Sequence, residues 1–313
     1  MIHQKIPINE TNPQACLETY FLDYISTYRY DSGAPVILIC PGGGFAYLAD
    51  REMEPMAMAF NAMGYHAGVI RYSCGSHCDV VTSVADAACA VAAVRRRAGD
   101  FRIDPEKIYL CGFSAGGYVA AALGTFWRER WLIQEMNVRC REWIGWEPEC
   151  HLWRPDRLIL GYPVISMAAM ATQLPYMKDF SMANPAFSED DYTFYKHDER
   201  FIDFKKLECT WLFHNACPEQ RLLEKYSPAL HVDAGTPETF LWHTMQDNLV
   251  YPENSMDFAA ALRKAGVGCE LHLFAKGFHG LSMANAVSAQ RETDVVESCQ
   301  LWLPMVRNWL EGV

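Results

Sequence analysis

A serine set between glycines, where a strand gives way to a helix, constrains the fold of this chain more than any other feature. The segment Gly112-Phe113-Ser114-Ala115-Gly116 follows the apolar run 107–111 and opens the alanine-rich, helical stretch 114–127. Small residues two before and two after a serine leave room for a sharp, strained turn that lifts the hydroxyl above the sheet. The pattern predicts a nucleophilic Ser114; a plain glycine-rich turn is the alternative.

Short apolar runs alternate with longer helical patterns on both sides of this serine. This alternation predicts a mostly parallel sheet covered on both faces by helices. Apolar residues after Val80 recur on one helix face, and Gly99 is expected to end that helix. The predicted strands are 36–40, 66–72, 107–112, 158–162, 239–244 and 269–274. The predicted helices are 52–63, 80–98, 114–127, 253–265 and 289–310, with a bend expected at Pro304.

Two stretches, residues 128–155 and 170–236, interrupt the alternation. Both are too aromatic for flexible linkers, so we expect ordered insertions on a single domain of residues 1–313. The first stretch contains Trp131, Trp143, Trp146 and Trp153. These tryptophans could form an aromatic wall on which sugar rings stack, but packing against the main sheet or a dimer contact is the favoured interpretation.

Charge and apolar patterning narrow the function classes. The formal net charge of −11 argues against a nucleic-acid partner. No signal-peptide core stands near Met1 and no apolar run reaches the length of a membrane span, so we expect a cytoplasmic protein without membrane contact. Twelve scattered cysteines suit a reducing compartment. The group Cys74-Gly75-Ser76-His77-Cys78 lacks a second set of ligands, so we expect a loop and no metal.

A serine hydroxyl needs a base, and the base needs an orienting carboxylate. Asp247 follows the strand 239–244, and His279 lies in a glycine-flanked loop after the strand 269–274. These are the favoured acid and base. Glu253 and Asp257 are the reserve acids, although both fall in the next helix. His243 is expected to be structural, because it lies at a strand end.

Negative charge on a tetrahedral intermediate needs hydrogen-bond donors. The loop Pro41-Gly42-Gly43-Gly44-Phe45 follows a buried strand and offers backbone amides without obstructing side chains. We expect the amides of Gly43, Gly44 and Ala115 to form an oxyanion hole. Phosphate binding is disfavoured because neither Lys-Ser/Thr after the glycines nor the G-x-G-x-x-G pattern is present.

These motifs, together with Asp50-Arg51-Glu52 and Gly161-Tyr162-Pro163, resemble the α/β-hydrolase superfamily, in particular its bacterial acetyl-esterase and xylan-esterase-like branch. The likeness runs from about residue 36 to the C-terminus. It departs from the usual HGGG loop in having Pro41 where that loop has histidine. It implies an α/β-hydrolase fold with cap-like insertions.

The resemblance further implies a serine carboxylic-ester hydrolase with Ser114 as nucleophile, His279 as base and Asp247 as its orienter. It points to small acyl groups on carbohydrates and to a small-molecule substrate with no cofactor. Two alternatives remain open at this stage. One is a serine peptidase of the prolyl-oligopeptidase type, and the other is a non-catalytic binding protein of the same fold.

Overall fold

The structure is a computed structural model that describes residues 1–23, 33–139, 149–167, 176–177, 192–194, 200–247 and 249–312. Within these ranges no helix is both long and apolar enough to cross a membrane. The alternative of a tryptophan wall falls partly outside them, because Trp143 and Trp146 lie in the range 140–148. Most of the second insertion before residue 200 also lies outside the described ranges.

In the described part of the chain, eight strands form one sheet in the order β1-β2-β4-β3-β5-β6-β10-β11. Strands β1 and β2 run antiparallel to their neighbours, and the pairs from β4 to β11 are parallel. The strands of this sheet are β1 (Lys5–Pro7), β2 (Cys16–Tyr20), β3 (Ala34–Cys40), β4 (His66–Arg71), β5 (Ile103–Phe113), β6 (Arg157–Gly161), β10 (Glu238–Thr244) and β11 (Cys269–Phe274).

A second, antiparallel sheet has the order β7-β9-β8 within the second insertion. Its strands are β7 (Tyr176–Met177), β8 (Tyr192–Phe194) and β9 (Arg200–Asp203). The described helices are α1 (Glu54–Ala62), α2 (Val80–Arg96), α3 (Ala98–Phe101), α4 (Ser114–Phe126), α5 (Arg130–Arg139), α6 (Phe204–Phe213), α7 (Gln220–Lys225), α8 (Glu253–Lys264), α9 (Glu297–Gln300) and α10 (Trp302–Glu311).

Strand β3 shows how the main sheet is covered. Val36 and Leu38 point into one apolar cluster that includes residues of α2 and α4, whereas Ile37 and Ile39 point into a second cluster that includes residues of α1 and α10. Successive side chains of a strand face opposite sides of the sheet, so each face of β3 has its own core. The predicted mostly parallel sheet with helices on both faces is confirmed.

The described parts of the first insertion pack onto the core. Trp153 is fully buried and donates its indole N–H to the Trp127 carbonyl at 2.7 Å. Trp131 makes edge contacts with the rings of Phe126 and Tyr226. Trp131 and Trp153 therefore follow the packing interpretation, while the single-domain assignment of residues 1–313 stays a prediction.

Two expected helix boundaries differ from the structure, and two strands were not predicted. The helix after Val80 ends at Arg96, and Gly99 lies inside the short helix α3 that follows. The predicted final helix 289–310 begins with a short 3-10 turn and continues as two helices, α9 and α10, with Pro304 inside α10. The antiparallel strands β1 and β2 were not expected at all, because their short segments carry little apolar signal.

The buried His66 on β4 makes the stability of the fold dependent on pH. Its Nδ1 accepts the Leu22 backbone N–H at 2.9 Å, and burial lowers its pKa from 6.5 to about 4. At pH values between these two pKa values, the unfolded chain therefore binds a proton at His66 and the folded chain does not. This contribution to stability is complete above pH 6.5 and is lost as the pH falls towards 4. We expect the free energy of unfolding to fall by about 2 kcal/mol from this group between pH 7 and pH 5.

Urea unfolding of wild type and His66→Asn at pH 7 and pH 5 measures this contribution. The asparagine oxygen can still accept from Leu22 but does not titrate, so the variant should lose less stability on acidification. The exposed His77→Asn variant is the matched control and should lose as much as wild type. An equal loss in all three proteins would contradict the assignment to His66.

Candidate active site

The turn from β5 into α4 holds Ser114 in a strained conformation. Ser114 has a φ of 51°, in the left-handed region that non-glycine residues rarely adopt. A Cβ atom on Gly112 would lie 2.3 Å from the Gly116 carbonyl oxygen, and one on Gly116 would lie 2.1 Å from the Cys40 carbonyl oxygen. Only glycine fits at these two positions, which is the physical content of the glycine-serine motif.

Ser114, His279 and Asp247 form a continuous hydrogen-bonded chain. The Ser114 Oγ lies 2.8 Å from His279 Nε2, and His279 Nδ1 lies 2.8 Å from Asp247 Oδ2. Ser114 is 8% exposed and Asp247 is 4% exposed. The structure therefore brings together all three residues that the sequence singles out.

Charge and hydrogen bonding fix the proton positions in this chain. Burial alone would raise the pKa of Asp247, but the neighbouring His279, together with hydrogen bonds from His243 and His279, outweighs burial and holds that pKa well below its usual range. A carboxylate can only accept, so His279 Nδ1 carries the proton of the neutral ring. His279 Nε2 is then free to accept the hydroxyl proton of Ser114.

Several contacts hold the His279 loop in place. The Thr244 hydroxyl, at the end of β10, donates to the Gly277 carbonyl at 2.8 Å. The Gly277 N–H donates to the Gln246 side-chain oxygen at 3.3 Å. The ring of Tyr162 meets the His279 imidazole edge-on, with centroids 5.1 Å apart. The base is thus fixed by the loop that carries the acid and by an aromatic ring at the end of β6.

The glycine loop after β3 lies directly beside Ser114. A Cβ atom on Gly42 would lie 2.9 Å from the Ser114 Cβ. Gly43 and Gly44 have φ values of 128° and 60°, which favour glycine. Ala115 is the second residue of α4, so its N–H has no partner within the helix. Gly42 and Ala115 therefore adjoin the serine on two segments, and Gly43 and Gly44 follow Gly42 in the same loop.

Glu52 and Tyr162 connect this loop to the histidine loop, and no role in the site was expected for either residue. The buried Glu52 accepts the Gly42 N–H through Oε2 at 2.6 Å and the Tyr162 hydroxyl through Oε1 at 2.6 Å. The same tyrosine oxygen accepts the Ser282 N–H at 2.8 Å. The available signal was the place of these two residues in two motifs that carry the family resemblance, Asp50-Arg51-Glu52 and Gly161-Tyr162-Pro163.

The other residues that the sequence analysis considered differ in how they lie relative to Asp247 and the serine. The His243 imidazole is fully buried and lies 3.1 Å from Asp247 Oδ2, a contact that its expected structural role did not include. The reserve acids Glu253 and Asp257 are exposed on α8. In the stretch 74–78, the Cys78 thiol is buried against the Ser83 hydroxyl. Among the described residues, no three His, Cys, Asp or Glu side chains come together as metal ligands.

Two family models match adjoining parts of the chain. The model described as BD-FAE matches residues 22–144, which include the glycine loop and Ser114. The model of the prolyl oligopeptidase family matches residues 165–298, which include Asp247 and His279.

Two curated proteins that are similar to this chain are named as a xylanase and an acetylxylan esterase. The chain is 29% identical to endo-1,4-beta-xylanase B of Butyrivibrio fibrisolvens, over 80% of this chain and 33% of that protein. It is 25% identical to the acetylxylan esterase of Xylanibacter ruminicola, over 80% of this chain and 41% of that protein. The chain thus spans well under half the length of these two curated relatives.

A solved structure matches over nearly its whole length. The acetyl ester-xyloside bifunctional hydrolase of Caldicellulosiruptor lactoaceticus is 28% identical, with a TM-score of 0.67 over 97% of this chain and 96% of that chain. The strand order, the strained serine turn and these similarities all indicate the same fold. The chain has the α/β-hydrolase fold and is similar to an esterase-type hydrolase of that fold.

Proposed function

We propose that this chain is a serine carboxylic-ester hydrolase that works through an acyl-enzyme intermediate. The observation that carries the proposal is the hydrogen-bonded chain from Ser114 Oγ through His279 to Asp247, with both contacts of the imidazole at 2.8 Å. Nucleophile, base and orienting carboxylate are within reach of each other before any substrate arrives.

In the first step, Ser114 Oγ attacks the ester carbonyl carbon while its proton passes to His279 Nε2. The resulting imidazolium is stabilised by the buried Asp247 carboxylate. The negative oxygen of the tetrahedral intermediate is held by the backbone amides of Gly43, Gly44 and Ala115. The bond to the alcohol oxygen then breaks, and that oxygen takes the proton from His279.

In the second step, a water molecule gives a proton to His279 Nε2 and attacks the acyl carbon. The same amides stabilise the second tetrahedral intermediate. The bond to Ser114 Oγ breaks, the serine recovers its proton from His279, and the carboxylic acid leaves. These residues suffice for both steps, so the proposal includes no cofactor.

The proposed substrates are short-acyl esters, above all acetyl esters, including those carried by carbohydrates. The names of the Xylanibacter ruminicola and Caldicellulosiruptor lactoaceticus proteins support this class. The proposal takes residues 1–313 as one domain. It places the protein in the cytoplasm, which the burial of free thiols such as Cys40, Cys89 and Cys111 in the core supports.

Removing the nucleophile should abolish activity. We expect Ser114→Ala to lower kcat on 4-nitrophenyl acetate by about 10⁴-fold or more, because members of a triad act as a unit. The variant should also lose labelling by a fluorophosphonate probe. Release of 4-nitrophenol measures the first effect, and in-gel fluorescence of the probe measures the second.

Ser298→Ala is the matched control, because Ser298 is exposed on α9 and takes no part in the proposed chemistry. It should keep the activity and labelling of wild type. Unchanged turnover in Ser114→Ala would contradict the proposal. A wild-type protein that neither turns over esters nor takes the probe would favour a non-catalytic binding protein.

Substrate class can be tested with one panel. We expect kcat/KM to be highest for the acetyl ester and to fall at least about tenfold by the octanoyl ester, since a pocket for a short acyl group excludes a long one. Acetylated xylo-oligosaccharides should release acetate.

The prolyl oligopeptidase match makes a peptidase the second candidate. Faster turnover of a succinyl-Gly-Pro 4-nitroanilide than of any ester would favour that candidate.

Glu52 should support turnover by holding the glycine loop. We expect Glu52→Gln to lower kcat about 10- to 100-fold with KM little changed, because a small misplacement of the oxyanion donors is costly. The glutamine amide cannot accept from both Gly42 and Tyr162. Steady-state kinetics on 4-nitrophenyl acetate, with the exposed Glu54→Gln as control, measures the effect. Equal kcat in both variants would show that the carboxylate is not needed.

A further inference from the structure

The Asp247 carboxylate accepts four hydrogen bonds, and one of them comes from a second histidine. Its Oδ1 accepts the backbone N–H groups of Leu249 at 3.0 Å and Val250 at 2.9 Å. Its Oδ2 accepts from His279 at 2.8 Å and lies 3.1 Å from the Nε2 of His243. Two imidazoles therefore share the oxygen that orients the base.

The neighbours of His243 determine which of its nitrogens carries the proton. His243 Nε2 lies within reach of Asp247 Oδ2 and of the Val250 carbonyl oxygen, which is 2.8 Å away. Both oxygens only accept, so Nε2 must carry a proton. His243 Nδ1 lies 2.8 Å from the Ser255 hydroxyl, which can donate to it. A neutral ring with its proton on Nε2 satisfies all three partners.

The position of His243 in the chain explains what this bond can do. His243 lies on β10, where it is paired with Leu273 of β11 and follows Trp242, which is paired with both β6 and β11. Asp247 follows four residues later, beyond the end of the strand. The Nε2 proton therefore ties the carboxylate, and the Val250 carbonyl of the same loop, to a rigid part of the sheet.

We propose that His243 is a positioning residue for the reaction, whose Nε2 proton holds Asp247 Oδ2 in the orientation that directs His279 at Ser114. The inference rests on the proposed ester hydrolysis. His243 touches neither the substrate nor Ser114 in this account and acts only through Asp247. Without His243, only one of the two imidazoles, that of His279, would donate to Asp247 Oδ2. The carboxylate could then rotate out of the orientation in which it directs His279 at Ser114.

Kinetics of His243→Leu and His243→Gln test the proposal. We expect His243→Leu to lower kcat on 4-nitrophenyl acetate about 10- to 100-fold with KM changed less than about twofold, because the substrate contacts are untouched. His243→Gln should recover most of the lost kcat, since its amide N–H can reach Asp247. His272→Leu is the matched control, because His272 lies on the adjacent strand β11 and contacts Glu270 rather than the site.

A double-mutant cycle separates positioning from general destabilisation. In the Asp247→Ala background, His243→Leu should cause no further fall in kcat, because the residue through which it acts is absent. The low-field proton NMR signal of His279 Nδ1–H should weaken in His243→Leu and return in His243→Gln. If His243→Leu does not fold, Ser255→Ala takes its place in the cycle. It removes the donor to His243 Nδ1 and should lower kcat in the wild-type background only.

The outcomes are distinguishable from failure of the proposed function. Wild type that is active and depends on Ser114, but that keeps its kcat in His243→Leu, would overturn the role of His243 alone. A further fall in the Asp247→Ala background equal to that in wild type would also overturn it. Loss of kcat that His243→Gln does not restore would assign His243 to the core packing. Wild type without esterase activity would instead overturn the proposed function.

Discussion

Close backbone packing around the Ser114 turn is the constraint on which the rest of the site depends. The carbonyl of Cys40 on β3 lies so near Gly116 of α4 that a Cβ there would be only 2.1 Å away. At the end of β6, a Cβ on Gly161 would lie 2.7 Å from the ring of Phe113. Three neighbouring strands and α4 therefore pack closely around the turn that carries the serine.

This convergence lets short polar contacts link loops that are far apart in sequence. Glu52 bridges the glycine loop to Tyr162, and Tyr162 in turn meets Ser282 beyond the histidine. The Ser282 hydroxyl in turn donates to the Arg51 carbonyl at 2.8 Å, so the network returns to the residue beside Glu52. The loops after β3, β6 and β11 are thereby fixed to each other, which supplies the pre-organisation that acyl transfer requires.

The sequence predicted the parallel strands and the three residues of the hydrogen-bonded chain because each has a local signature. Continuous apolar runs mark strands buried on both faces, and Ser114, Asp247 and His279 each follow such a run. The carboxyl ends of parallel strands meet at one edge of the sheet, so local patterns were sufficient to bring these residues together.

What the sequence could not predict depends on contacts between distant segments. Glu52 is ordinary for the start of a helix until Gly42 and Tyr162 are placed against it in space. His243 was correctly read as part of a strand end, yet its bond to Asp247 depends on how the following loop folds back. The predicted final helix is too long, because the chain forms a 3-10 turn over Glu292–Asp294 before α9 and α10 begin.

Two buried carboxylates, Asp247 and Glu52, have different electrostatic roles in the site. Asp247 faces the base, and its charge is balanced by four donors, of which only His279 changes protonation in the proposed reaction. Glu52 faces the glycine loop, where a bare negative charge would oppose an oxyanion. Its oxygens are instead engaged by the Gly42 N–H and the Tyr162 hydroxyl, and the N-terminus of α4 adds positive potential at Ser114. A carboxylate group thus orients the base in Asp247 and holds the glycine loop in Glu52, because the hydrogen-bond partners of the two differ.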